Sequence, residues 1–166
     1  MLTCCALLLV VAPPVVAADH TDARPTTGES LKATPKVNGI LQPSVRSQLS
    51  FAFRLAQEKI QTRRTCSALF TGFGADGLQL FTSARFGPAS IRKDGNACAR
   101  GVAARTEVSG RQIGLCPAFA AVSAGNAALI LIHEVLHDAG MSEKPADPNG
   151  LTSQEINRLV SARCGR

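Results

Sequence analysis

The chain has 166 residues, a formal net charge of +6, 14 glycines, 9 prolines and neither Trp nor Tyr. This length is enough for one domain with its own hydrophobic core. We expect no nucleic-acid partner, because no aromatic side chain larger than Phe can stack on bases and no more than two basic residues are adjacent.

The N-terminal segment has the composition of a secretory signal peptide. A short apolar run, ALLLVVA, is followed by small residues that suit cleavage after Ala17 or Ala18. Because this run is too short to cross a bilayer, it predicts export and no stable membrane insertion. We therefore predict a signal peptide over residues 1–18, a flexible linker or propeptide over residues 19–42, and one domain over residues 43–166.

The first half of that domain predicts one long helix and an ambiguous segment. Apolar residues recur at helical spacing from Ser44 to about Arg64, which indicates an amphipathic helix. The stretch GLQLFTSARF at 77–86 is compatible with either a helix or a strand. Residues 102–108 and 111–117 flank Ser109-Gly110 and predict a β-hairpin.

The second half predicts two further helices separated by a turn. The first begins with Ser123 or Asn126 as N-cap and ends at Gly140. DPNG at 147–150 is typical of a turn. Thr152 and Glu155 have the spacing of a capping box at the start of the last helix.

Four cysteines remain once the signal peptide is removed: Cys66, Cys98, Cys116 and Cys164. An even number in a small exported chain predicts two disulfides, for which three pairings exist. The predicted hairpin places Cys116 opposite residue 103, whereas bridged Cα atoms must approach to about 5.5 Å. We therefore predict the pairs Cys66–Cys98 and Cys116–Cys164.

The stretch LIHEVLHDAGMSE, residues 131–143, carries the chemistry. His133 and His137 lie four residues apart, so on a helix both imidazoles can reach one metal ion. Zinc with three protein ligands keeps a fourth position for water and lowers the pKa of that water to about 7. Glu134 is adjacent and could act as the general base. Since the helix is apolar on all sides, an unpartnered Glu134 inside it would be costly.

HEVLH followed by DAG resembles the zincin metallopeptidases. In that resemblance, His133 and His137 match the zinc ligands and Glu134 matches the general base. The pattern HExLHxxGxxE is similar to that of small exported bacterial metallopeptidases, and GLCPAF at 114–119 is similar to a segment of the deuterolysin type. The resemblance implies an α+β, zincin-like fold, with one zinc ion between the edge strand of a small sheet and the motif helix. It also implies a peptide or protein substrate.

Three carboxylates compete for the role of third ligand. Glu143 is reached if Gly140 reverses the chain, since glycine permits a left-handed turn. Asp147 lies one residue short of the spacing of the deuterolysin type and suits a turn. Glu155 would match zincins that take a glutamate from a later helix, but a capping box already accounts for it. We predict Glu143.

Together these features predict an exported zinc-dependent metalloendopeptidase with Glu134 as general base. The alternative is a non-catalytic zinc-binding or structural module on the same scaffold. The chain has no Tyr, which zincins often use to stabilise the oxyanion, and the sequence indicates no specific replacement. Asp138 is a further candidate, as a residue that orients a ligand histidine.

Overall fold

The computed structural model describes residues 33–89, 98, 102–106 and 112–165, and these form an α+β structure. The predicted signal peptide, most of the predicted linker and the Ser109-Gly110 turn lie outside these residues. The elements in chain order are β1 (Lys36–Val37), α1 (Pro43–Thr62), α2 (Arg64–Thr71), α3 (Gly77–Ser83), β2 (Arg85–Pro88), β3 (Ala104–Thr106), β4 (Gln112–Leu115), a 3-10 helix (Pro117–Ala121), α4 (Ala124–Asp138) and α5 (Ser153–Cys164). No helix in the described ranges has the length and apolar character needed to cross a membrane.

The sheet is small and mixed, with strand order β1-β2-β4-β3. β1 and β4 flank β2 in parallel, and β3 pairs antiparallel with β4. The predicted hairpin pairing is confirmed, with Ala104 opposite Leu115 and Thr106 opposite Ile113. Among the described strands, β3 is therefore an outer strand of the sheet.

Packed structure begins before the predicted domain start at residue 43. Lys36 and Val37 pair with Arg85 and Phe86 of β2, and Leu41 is only 5% exposed. The domain therefore includes at least residues 36–42 of the stretch predicted as a linker or propeptide.

The segment at 77–86 contains both of the structures that the sequence left open. Asp76 caps α3 because its Oδ1 accepts hydrogen bonds from the backbone N–H groups of Leu78 and Gln79. The chain then leaves the helix at Ala84 and enters β2. This arrangement lets Phe81 and Phe86 pack against Phe53 of α1, with ring centroids 4.8 and 5.9 Å from that of Phe53.

Helix α1 confirms the predicted amphipathic helix, and its buried face packs against α4. Ser123 is the N-cap of α4, and its hydroxyl faces the N–H of Asn126. The middle of α4 is buried on all sides, and this includes His133, Glu134 and His137. The motif helix is therefore the central element of the domain.

All four cysteines predicted to be bridged form disulfides, but the predicted pairing is wrong. The bonds are Cys66–Cys164 and Cys98–Cys116, with Cα–Cα distances of 4.8 and 5.4 Å. The expected register is present, because the N–H of Cys116 donates to the carbonyl of Ala103. The error was to infer from this register that Cys98 lies too far from Cys116 to be bridged.

The capping box predicted for α5 is confirmed. The Glu155 carboxylate accepts hydrogen bonds from the backbone N–H and the hydroxyl of Thr152, at 2.7 and 2.8 Å. The Thr152 hydroxyl in turn accepts the N–H of Glu155 at 3.3 Å. These bonds satisfy groups at the start of the helix that would otherwise lack partners.

We expect Glu155→Gln to be less stable than the wild type at neutral pH, with the difference shrinking in acid. The Thr152 backbone N–H and then its hydroxyl hold the pKa of Glu155 below its ordinary value. Such a carboxyl group stabilises the fold above its unfolded pKa of about 4.3, and this stabilisation is lost as the pH falls through the folded pKa. Thermal unfolding of both proteins across this range measures the difference. A difference that does not change with pH would contradict the assignment.

Candidate metal centre

The first two candidate ligands project from one side of α4. His133 and His137 are four residues apart, and their Nε2 atoms lie 3.1 Å from each other. Both side chains are buried, with exposed fractions of 5% and 4%. The helix therefore presents two imidazole nitrogens to one point.

A left-handed turn at Gly140 ends α4 and reverses the chain. Gly140 has a φ of +106°, a backbone conformation that residues with a Cβ atom rarely adopt. Its N–H donates to the carbonyl of His137, and the N–H of Met141 donates to the carbonyl of Leu136. These two bonds form a Schellman motif, and the buried Met141 side chain accompanies it.

The chain after this turn forms a closed loop that carries Glu143. Glu143 and Leu151 form a parallel β-bridge, in which the N–H of Lys144 donates to the carbonyl of Leu151 at 2.8 Å. The N–H of Leu151 donates to the carbonyl of Ser142 at 3.2 Å. A Cβ on Gly150 would lie 2.7 Å from that same carbonyl oxygen, so only glycine fits there. Two points of backbone pairing therefore fix the position of Glu143.

The loop brings the Glu143 carboxylate to the two imidazoles. Its Oε2 lies 3.1 Å from Nε2 of His137 and 3.8 Å from Nε2 of His133. One ligand atom from each of these three residues lies within 4.8 Å of the other two. Tetrahedral ligands bound to zinc at about 2.0–2.1 Å are about 3.3 Å apart, so the observed spacing suits one metal ion.

The two other carboxylates considered from the sequence have local roles. Oδ1 of Asp147 accepts the N–H of Asn149 at 2.9 Å in the turn that closes the loop. Glu155 accepts its hydrogen bonds from Thr152 in the capping box. Neither belongs to the group of side chains within the described residues that could hold a metal ion.

The second nitrogen of each imidazole faces an oxygen acceptor. Nδ1 of His133 lies 2.8 Å from Oδ1 of Asn157, and Nδ1 of His137 lies 2.7 Å from the carbonyl oxygen of Met141. The Met141 carbonyl can only accept, so Nδ1 of His137 carries the proton, and with Oδ1 of Asn157 as acceptor the same holds for His133. Two Nε2 lone pairs and a carboxylate oxygen thus converge, and a cation between them, either a proton or a metal ion, would stabilise this arrangement.

Asn157 was missed in the sequence analysis, which considered Asp138 for this orienting role. Asn157 lies 24 residues after His133, on α5, so no short motif connects the two. The only local signal is an Asn inside a helix, where this residue is a weak helix former. The partner of His137 is a backbone carbonyl of the turn at Gly140, and no side-chain pattern can reveal it.

Glu134 lies beside the candidate ligands His133 and His137, but it is not a member of the group that could hold a metal ion. Its side chain is buried, and this burial raises the pKa of Glu134, while His133, Thr106 and His137 act in the opposite direction. The side chain and the backbone of Thr106, on β3, both act to lower the pKa of Glu134. The Thr106 hydroxyl nevertheless has no hydrogen bond of normal geometry. A buried carboxyl group with a raised pKa is suited to accepting and releasing a proton.

The donor set of two imidazole nitrogens and one carboxylate oxygen fits a divalent transition metal such as zinc. Both imidazoles are buried and are held in the tautomer that coordination requires. Comparison with models of protein families, with curated proteins and with solved structures found no match. The chemistry of the centre therefore has to be inferred from its own geometry.

We expect Glu143→Gln to weaken zinc binding by more than about 100-fold, because it removes a charged group that points at both histidines. Competition with a chromophoric chelator measures the affinity. Asp147→Asn is the matched control, since the amide oxygen can still accept the Asn149 N–H, and it should bind zinc like the wild type. Equal losses in the two variants would contradict the assignment of Glu143.

We expect Asn157→Ala to weaken zinc binding by about 10–100-fold, the usual cost of losing a partner that orients a ligand histidine. The same competition assay detects this loss. Asn157→Asp should restore binding, because its carboxylate can accept the same proton from Nδ1 of His133. Unchanged affinity in Asn157→Ala would show that the helix alone orients His133.

Proposed function

We propose that this protein is an exported, zinc-dependent metallopeptidase. His133, His137 and Glu143 hold the ion, and Glu134 is the general base. The observation that supports this most strongly is the convergence of three electron-pair donors on one point, beside a buried carboxyl group that is not needed as a ligand. A site that only stabilises the fold has no use for that extra carboxyl group.

The chain's own residues supply positioning and proton transfer. A bound zinc ion would polarise a peptide carbonyl and lower the pKa of a water molecule in the remaining position. Glu134 then accepts a proton from the attacking water and delivers it to the amine that leaves. The hydrogen bonds to Asn157 and to the Met141 carbonyl keep both imidazoles oriented throughout.

An extended peptide could reach the centre along β3. Thr106 of β3 lies next to Glu134, and β3 is an outer strand among the described residues. Such an edge can pair with an extended substrate through backbone hydrogen bonds. This placement supports a peptide bond, rather than a small ester or sugar, as the group that is cleaved.

The two disulfides indicate an oxidising compartment. Together with the signal-like composition of residues 1–18, this supports export as part of the proposal. In the alternative, zinc has only a structural role and the protein cleaves no peptide. The next experiment distinguishes the two.

We expect Glu134→Gln to lower peptide cleavage by about 10²–10⁴-fold while zinc remains bound, because only the proton acceptor is lost. Mass spectrometry of a diverse peptide library measures cleavage, and the chelator assay measures zinc. Asp147→Asn again serves as the control that should retain activity. Absence of cleavage by the zinc-loaded wild type, or full cleavage by Glu134→Gln, would contradict the proposed function.

Leu151 is a candidate for contact with the substrate. It is bridged in parallel to Glu143, and paired residues of neighbouring strands direct their side chains to the same side. Its side chain is 39% exposed, unlike the apolar residues of the core. An exposed leucine beside a ligand can contact an apolar side chain of the substrate.

We therefore expect Leu151→Lys to change the cleavage preference near the scissile bond from apolar to acidic residues. The same peptide library reports this change in the aligned cut sites. Ile40→Lys is the control, because Ile40 is an exposed apolar residue that precedes α1. An unchanged cut-site pattern in Leu151→Lys would show that Leu151 does not contact the substrate.

A further inference from the structure

Four basic residues lie where the end of α1, the start of α2 and the end of α5 come together. They are Lys59 and Arg63 at the end of α1, Arg64 at the start of α2, and Arg163 at the end of α5. We call this group the basic corner. Its members are up to about 100 positions apart in the sequence, which contains no basic run longer than two residues.

Covalent and hydrogen bonds hold these segments together. The Cys66–Cys164 disulfide joins α2 to the end of α5 with a Cα–Cα distance of 4.8 Å. The Thr65 hydroxyl donates to the carbonyl of Arg163 at 2.7 Å, and Nζ of Lys59 donates to the carbonyl of Cys164 at 2.8 Å. The basic corner is therefore a fixed part of the fold.

Within the described part of the chain, none of the four cations of the basic corner forms an ion pair. The ion pairs seen there include those of Glu143 with the two histidines. Burial lowers the pKa of Lys59, and repulsion by Arg63 lowers it further, against the smaller opposing effect of Glu58.

Helix stability does not account for all of these charges. Lys59 and Arg163 lie in the last turns of α1 and α5, where cations favourably oppose the helix dipole. Arg63 both ends α1 and precedes α2, so its charge is favourable for the first helix and unfavourable for the second. Arg64 lies in the first turn of α2, where a cation is unfavourable, and no acidic residue occupies that turn. Arg64 thus has no stabilising interaction with the dipole of its own helix.

We propose that the basic corner binds a linear polyanion that bears phosphate or sulfate groups, such as an anionic polymer of a cell surface. Guanidinium groups form paired hydrogen bonds with phosphate and sulfate oxygens, and three of the four cations are arginines. Binding here retains the protein at an anionic surface and does not depend on the proposed peptidase activity.

A polymer fits this surface better than a lipid bilayer does. Peripheral binding to a bilayer uses apolar side chains that insert beside the basic ones. The large apolar residues exposed in the described ranges are Ile40, Phe51, Phe73, Val102 and Leu151. None of them lies within three positions of a basic-corner residue along the sequence. A polyanion requires only charge and hydrogen-bond donors.

Binding of the zinc-loaded mature protein to immobilised heparin, used as a sulfated probe, tests the proposal. If all four cations engage, a tenfold rise in salt should weaken binding by about a thousandfold, as for four neutralised charges. The double variant Arg64→Ser, Arg163→Ser should bind more weakly and lose about half of this salt dependence. The hydrogen bond from Thr65 is made to the backbone of Arg163, so this variant keeps it.

The matched control is Arg46→Ser, Arg54→Ser, which removes the same charge from exposed positions of α1. It should bind heparin like the wild type. Equal weakening in both double variants would show that net charge alone attracts the polymer, and would overturn the proposal. Absence of heparin binding, or tighter binding to vesicles of anionic phospholipid than to heparin, would also overturn it.

Discussion

The reversal of the chain at Gly140 is the constraint on which the centre depends. A helix can present His133 and His137 to one point, but it cannot place a third ligand opposite them. The left-handed turn at Gly140 and the β-bridge between Glu143 and Leu151 provide that third direction. Gly150 contributes equally, since any side chain there would collide with the Ser142 carbonyl and open the loop. Two glycines thus determine where one carboxylate lies.

Burial of polar groups gives the centre its electrostatic character. His133, Glu134 and His137 lie in the middle of an otherwise apolar helix, where leaving such groups without partners is costly. The protein satisfies both Nδ1 atoms with hydrogen bonds and leaves the Nε2 lone pairs facing Glu143. A cation between the remaining electron pairs would stabilise this arrangement. If that cation is a metal ion, its binding would also stabilise the fold.

Features set by local sequence were predictable. The motif histidines, the turn at Gly140 and the capping box at Thr152 all follow from spacings of a few residues, and Glu143 followed from the turn. Features set by tertiary packing were not. The disulfide pairing was wrong because the hairpin register alone does not determine how close Cys98 lies to Cys116. Asn157 was missed because its contact with His133 joins two helices, and β1 was missed because its two residues are stabilised mainly by pairing with β2.

The metal centre is tested most directly by anomalous X-ray diffraction at the zinc absorption edge, from crystals of the mature protein grown with zinc. If His133, His137 and Glu143 hold zinc, we expect one strong peak at about 2.0–2.2 Å from Nε2 of His133, Nε2 of His137 and a carboxylate oxygen of Glu143. A peak coordinated by other residues, or no peak between these three side chains, would contradict the claim that this group is a metal centre.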